Sequence, residues 1–595
     1  MIISIELYII NNLSGGNIMK LIKSIENVSN RLYLSLKRFP LTVLLSASTL
    51  ALLIAISEIN PISNNLSKIT LVLALGIPLS LCIKLFFETR EEENSYRITI
   101  GYLSGGLALI LYYFLFLKNM EMIAITRYTA VSLTLYLGFL FTPYLIKKEQ
   151  FEMYVITIFT GFFITLIYSI VLFSGLSAIL FTIDKLLGII IKGKVYYYTW
   201  LFVVFVFALS YFIAGIPHKN QEITSKSYPK LFRILLLYII MPLLTVYTVI
   251  LYIYFGKVIL TWRWPIGIVS NLVLWYALIV TSILFFITPI REDLSFVNKF
   301  LKFAPKIILP LLIMMFISIG IRINAYGVTE NRYFVVVLAL WVFFIMLYFC
   351  FAKKLRNIII PVTLSIITII SVFGPLSSYS ISKMSQNNRL QKILMKNNMI
   401  KDEKLQSSTK ISIVDREEVA SILNYFNRYH SLRDIKYLPE NFKLDDANKV
   451  LGLSGNLSYS SLDRHFDFTR ELSDKNIDIK GYDYLIDMKS INNVQGSSNN
   501  DLDVSYDSKS ETIKINYANK EVYSKNLNSF VMELADKYAD ESNADGLPAE
   551  EMTLFDENQK IKVKIVFLNI SLDKKLATQK VDINNVDLYL LVNIK

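Results

Sequence analysis

Two short polar stretches hold the residues best placed to do chemistry: Thr261-Trp262-Arg263-Trp264-Pro265 and Tyr326-Gly327-Val328-Thr329-Glu330-Asn331-Arg332-Tyr333. Each directly precedes a long apolar run. Arg263, Tyr326, Glu330 and Arg332 are the candidate binding residues. Together they offer two guanidinium groups, one carboxylate and an aromatic face. That set suits recognition of an envelope lipid or protein ligand at one face of a membrane. The plainer reading is an aromatic belt at the water interface with a well-capped helix behind it. In that reading Thr329 caps the helix and Glu330 favours its positive end.

No catalytic residue, cofactor or metal site is expected. The sequence lacks a P-loop, a G-x-G-x-x-G, an H-E-x-x-H and a G-x-S-x-G. His218, His430 and His465 are scattered and read as surface or loop residues. Cys82 and Cys350 lie in apolar runs, so neither zinc spacing nor a disulfide framework is present. Lys84 and Arg233 sit near the ends of their apolar runs, where long side chains reach the interface. A convincing mid-membrane carboxylate is missing, which weighs against proton- or cation-coupled transport.

The elements that must position these residues are membrane spans. A span needs about 20 mostly apolar residues. The chain changes solvent at Gly374-Pro375, and eleven stretches before that point qualify: 41–57, 69–87, 98–117, 128–146, 154–173, 196–214, 231–254, 266–289, 305–321, 333–351 and 357–374. Segment 174–191 is apolar but holds Asp184-Lys185, so it reads as a helix at the interface or re-entering partway. Pro78, Pro242, Pro310 and Pro361 can kink four spans.

Charge divides the chain the same way. Residues 1–375 carry a net +16 and residues 376–595 a net −3. The basic excess therefore lies beside the spans, and a near-neutral tail argues against nucleic-acid binding. With eleven spans, 21 Lys and Arg fall on the N-terminal side and 10 on the other. That bias puts the N-terminus in the cytoplasm and the tail outside; a crossing at 174–191 would reverse the tail.

No cleavable signal peptide is expected, since residues 1–10 lack a basic n-region. Ser14-Gly15-Gly16-Asn17-Ile18-Met19 reads as a translated ribosome-binding sequence, so synthesis is expected to start at Met19. From Lys20, the residues Leu21, Ile25, Val28 and Leu32 recur at helical spacing, with basic neighbours, as an interfacial amphipathic helix.

The tail reads as a soluble α+β domain with a mainly antiparallel sheet. One helix runs from Ser385 through Leu394, and a second opens at Asp415 with Glu418 three residues on. Strands are expected at 477–479, 504–506, 513–517, 561–565 and 586–594, with a helix over 527–538. The expected domains are thus an N-terminal segment 1–40, a helical membrane bundle 41–375 and a soluble domain 376–595.

The stretch Tyr326 to Tyr333, continuing through Leu338 and Trp341, resembles the hallmark of an uncharacterised bacterial multi-pass membrane family, the one carrying domain of unknown function 4153. Lys37-Arg38-Phe39-Pro40-Leu41 resembles that family's approach to its first span. Phe373-Gly374-Pro375, with Ser382 and with Ser385-Gln386 through Arg389-Leu390, resembles its membrane-to-tail junction. The resemblance implies a fold and brings no substrate, reaction or catalytic residue. The expected protein is non-enzymatic and sits in a bacterial cytoplasmic membrane. It displays its tail for envelope sensing or scaffolding, with the bilayer and an envelope lipid or protein as partners. The alternatives are a transporter or flippase, and a membrane-embedded transferase on a lipid-linked substrate.

Overall fold

The computed structural model describes residues 30–59, 64–90, 95–118, 122–145, 150–218, 227–262, 268–401, 404–406, 411–439, 441–451, 463–471, 476–488, 502–507, 510–518, 520–538, 543–575 and 580–595. Arg263 and residues 1–29, with the expected start at Met19, lie outside these. The chain forms two compact units, Met1–Gln386 and Asn387–Lys595.

Among the described residues, ten helices of the first unit are long and apolar enough to cross a membrane. They are α1 (Pro40–Glu58), α2 (Asn64–Thr89), α3 (Tyr96–Phe116), α4 (Met122–Tyr144), α5 (Phe151–Leu187), α6 (Gly193–Ala214), α7 (Lys230–Thr261), α8 (Ser270–Ile290), α9 (Ser295–Tyr326) and α10 (Glu330–Phe351). The eleventh expected span is a shorter apolar helix, α11 (Ile359–Val372), of 14 residues. Residues 30–38 are helical ahead of α1. This is a multi-pass helical membrane protein.

The side chains sort as a bilayer requires. α8 is the most enclosed span, with Val273, Ala277, Val280, Leu284 and Ile287 buried along one helical face. They share a core with Leu312 and Met315 of α9 and Val342 and Met346 of α10. Leucines and aromatics on α3, α5 and α7 stay exposed instead, such as Leu103, Phe162 and Tyr238, as expected where the solvent is hydrocarbon. Two hydroxyls of α1 find partners on neighbouring spans. Thr42 and Ser80 hydrogen-bond at 2.8 Å, joining α1 to α2. The Ser46 hydroxyl donates to the Phe205 carbonyl at 2.5 Å, inside a π-helical stretch of α6, Val203–Ala208. A π-bulge shifts the backbone bonding and frees a carbonyl for such a donor.

Segment 174–191 is neither a separate interfacial helix nor a re-entrant one. α5 runs unbroken through it to Leu187, 37 residues in all. No proline interrupts 151–187, and charge alone does not end a helix. Asp184 and Lys185 fall in the last turn, paired at 3.0 Å, and Asp184 accepts the Ile191 N–H. Gly188, in the left-handed region with φ +65°, terminates the helix.

In the second unit, α12 (Ser378–Lys396), which begins in the first unit, contributes Leu390, Ile393 and Leu394 to a core shared with Val419, Leu423 and Phe426 of α13 (Ile413–Tyr429). α13 starts two residues before the expected Asp415. Ser412 is its cap, its hydroxyl accepting the Asp415 N–H at 3.1 Å. Burial alone would push the Asp415 carboxyl up, but donors on Lys396, Asn397 and Ser412 outweigh it and hold the group below the usual carboxylate range. A depressed carboxylate contributes stability above its unfolded value, about 3.9, and loses it as pH falls through the folded value. The protection of α13 amides, measured relative to their intrinsic exchange rates, should therefore fall on acidification below about pH 4. Asp415→Asn should flatten that dependence; an unchanged acid profile in the variant would refute this.

Beyond a short antiparallel pair, Ile400–Lys401 with Lys404–Leu405, the strands described are β1 (Asp463–Arg470), β2 (Tyr484–Met488), β3 (Leu502–Asp507), β4 (Thr512–Tyr517), β5 (Lys520–Asn526), β6 (Asn543–Leu547), β7 (Thr553–Glu557), β8 (Ile561–Lys575) and β9 (Lys580–Ile594). One sheet runs β2-β9-β8-β1-β6, with β7 also on β8; a second is β3-β4-β5. All of these pairs are antiparallel except β1 with β6. Val563 faces Val592, Ile565 faces Leu590 and Phe567 faces Leu588, all buried, so one face of the long hairpin makes the core. Helix Asn528–Lys537 covers it, with Phe530 stacked on Phe567 at 4.8 Å. The expected strand at 477–479 does not form: two isoleucines are too few to hold a register, and Gly481, at φ +80°, turns the chain into β2 instead. His465 lies on β1 rather than in a loop.

Candidate functional site at the 326–333 turn

α9 closes at Gly327, whose N–H reaches the Ile323 carbonyl at 2.8 Å. Gly327 has φ +70° and ψ 178°, a conformation essentially reserved for glycine. Thr329 stands at the cap position of α10, but its hydroxyl makes no capping bond. The exposed backbone of the turn is satisfied from α12 instead. The Val328 N–H donates to Ser385 Oγ at 2.8 Å. Gln386 Nε2 donates to the Tyr326 carbonyl at 3.1 Å and the Val328 carbonyl at 3.0 Å.

The charged candidates join the same knot. Ser382 donates to Glu330 Oε1 at 2.6 Å, with the Ser378 carbonyl equally near as an alternative acceptor. Arg332 turns back onto its own loop: Nη1 donates to the Gly327 carbonyl at 2.7 Å and the Tyr326 carbonyl at 3.2 Å, and the guanidinium lies 5.5 Å from the Tyr326 ring centre. The Tyr333 hydroxyl donates to the Leu376 carbonyl. Arg127, at the start of α4, reaches the Val372 carbonyl at 3.3 Å and lies over Phe116, Phe373 and Tyr379. Burial pushes the Tyr379 phenol up; Thr126 lowers it by hydrogen bonding, Glu330 raises it and Arg127 lowers it. Four segments of chain thus share one electrostatic neighbourhood.

Ser382 against Glu330 is the nearest approach to a nucleophile beside a base. Ser382 is fully buried, however, so a substrate has no path to its hydroxyl. The arrangement fastens backbone to backbone. Arg332 meets Tyr326 and Glu330 meets Ser382, while Ser382, Ser385 and Gln386 are partners that the apolar pattern does not single out.

A family model described as Domain of unknown function (DUF4153) matches residues 43–410. The chain belongs to the DUF4153 family. The match runs from inside α1 to beyond α12, so the knot lies wholly inside the DUF4153 region. No curated protein and no solved structure matches the chain.

A second polar joint sits at the start of α1. Arg38 Nη2 and Nε meet the two Glu88 oxygens at 2.8 and 3.4 Å. Its Nη1 reaches the Ile216 carbonyl at 2.5 Å and Nη2 the Pro217 carbonyl at 3.1 Å, just past α6. His218 Nδ1 lies 3.8 Å from Glu88. Phe39 beside it is buried, and Pro40 occupies the first turn of α1, where a missing N–H costs nothing.

Proposed function

We propose that this DUF4153 protein acts in envelope sensing or scaffolding, with its C-terminal domain as the reading surface. The observation that carries this is the use made of the hallmark residues. Glu330, Arg332 and the turn backbone bond to α12 and to their own loop. α12 then carries the chain unbroken out of the membrane unit. Residues placed to hold that helix suit signalling or display better than catalysis.

The same reading puts the protein in a bacterial cytoplasmic membrane with the N-terminus inside and the C-terminal domain outside. The basic bias of 21 to 10 supports it, given α11 as an eleventh crossing and α5 as a single one. A reporter fused after Lys595 tests the orientation, an active cytoplasmic reporter being the contrary result.

Glu330→Ala and Arg332→Ala test the role. Each removes a charge-assisted bond of about 1.5–3 kcal/mol, so hydrogen exchange over 378–386 should rise and protease resistance fall. Wild-type protection with loss of a catalysed lipid modification would point instead to a transferase.

A further inference from the structure

A cavity of about 540 Å³ lies between α10 and α11. Its wall is formed by Val337, Leu340 and Phe344 on one side and Ile367 and Ile370 on the other. It runs from Tyr333 to Tyr348, roughly 22 Å at 1.5 Å per residue. That is most of the hydrocarbon thickness of about 30 Å. Leu340, Phe344 and Ile370 on the wall are 41%, 63% and 45% exposed, so the slot opens on the lipid-facing surface of the bundle.

The polar groups on this wall already have partners within the chain. Trp341 Nε1 donates to Thr363 Oγ1 at 2.9 Å, and Thr363 donates to the Ile359 carbonyl at 2.7 Å. Tyr333 donates to Leu376, Ser371 to Thr368, and Tyr348 accepts the Arg356 N–H. A polar ligand would find these groups occupied, whereas a hydrocarbon chain asks nothing of them. The slot also exists for a geometric reason. α11, at 14 residues, is about 21 Å long and too short to cover a full-length neighbour, and lipid fills such a mismatch.

Charge selects the headgroup. The bond from Arg356 to Tyr348 sets the α10–α11 loop at one end of the slot. That loop carries Lys353, Lys354 and Arg356, all exposed. Residues 333–376 contain no Asp or Glu. Clustered basic residues at the end of an apolar cleft between spans favour an anionic lipid.

We propose that the slot binds one anionic glycerophospholipid, an acyl chain lying between α10 and α11 and the phosphate on Lys353, Lys354 and Arg356. The test is native mass spectrometry of the full chain, titrated with phosphatidylglycerol or phosphatidylcholine of identical acyl chains. One phosphatidylglycerol should be retained, favoured by about tenfold. Leu340→Trp should lower that retention about tenfold by filling the slot, with Ile370→Trp as the second variant if Leu340→Trp melts early. The combined Lys353→Gln, Lys354→Gln, Arg356→Gln variant changes only exposed loop side chains and should bring the two lipids to parity. Undiminished phosphatidylglycerol in a slot-filled variant that melts normally, or an unchanged preference in the loop variant, overturns the proposal.

Discussion

Gly327→Ala is expected to release the first turns of α12 from the membrane unit. Two costs coincide at this position. The backbone, at φ +70° and ψ 178°, lies where a side chain costs about 1–3 kcal/mol. A Cβ built there would also stand 2.9 Å from Gln386 Nε2 and 3.2 Å from Ser385 Oγ. Those two side chains satisfy the Tyr326 and Val328 carbonyls and the Val328 N–H. Relieving the clash means losing some of these bonds, and each buried group left unpaired costs about 1–3 kcal/mol. A total of about 3 kcal/mol or more is expected, seen as a lower melting temperature and faster exchange at 328 and over 378–386. Gly161→Ala is the control: it lies inside α5 with nothing within 4 Å of its would-be Cβ, and alanine favours a helix by about 1 kcal/mol. Equal melting of the Gly327 and Gly161 variants would refute the argument.

The fold was readable where one physical signal dominates over a long stretch. Apolar length sufficed to place ten spans, because the bilayer demands it residue after residue. Alternation sufficed for β4, β8 and β9, whose inward residues are all large and apolar. It failed at 477–479, where the signal is two residues long and Gly481 decides the path. The break drawn at 173/174 failed for a different reason. In the sequence the charges of Asp184 and Lys185 read as a mid-membrane cost, yet α5 is long enough to leave them in its last turn, paired with each other. The length of a helix past its apolar core cannot be read from hydropathy, because solvent and protein both tolerate continued helix.

The site was readable only in pieces. Glu330 and Arg332 stood out as charges beside a span. Ser382, Ser385 and Gln386 stood in a second motif more than 50 residues away, and nothing in local periodicity links the two. The link is a hydrogen-bond requirement: a turn whose cap residue, Thr329, makes no capping bond must find donors and acceptors elsewhere. Sequence alone states that requirement without naming the partner. Arg38 is the same case. Its motif was visible, while Glu88 and the Ile216 carbonyl, which give it a purpose, lie on two other helices' ends.

That makes Arg38→Ala the second large effect to expect. The Arg38 side chain is 11% exposed and serves four acceptors at once: both Glu88 oxygens and the Ile216 and Pro217 carbonyls. Removing it strands a largely buried carboxylate and two backbone carbonyls where water has little access. Breaking a fully buried ion pair from one side costs about 3–5 kcal/mol. Glu88 keeps some contact with solvent, so about 2–4 kcal/mol is the expected loss, read from unfolding in a detergent titration. Arg38→Lys should recover little, because a single ammonium cannot fork between a carboxylate and two carbonyls. Glu88→Gln should be milder than Arg38→Ala, since the amide keeps an acceptor oxygen for the guanidinium. The combined Arg38→Ala, Glu88→Ala variant should be less destabilised than the two single losses added together, because it removes the stranded charge. Strict additivity, or wild-type unfolding of Arg38→Lys, would mean that Arg38 acts through its packing over Phe39 rather than as the clamp joining α1, α2 and α6.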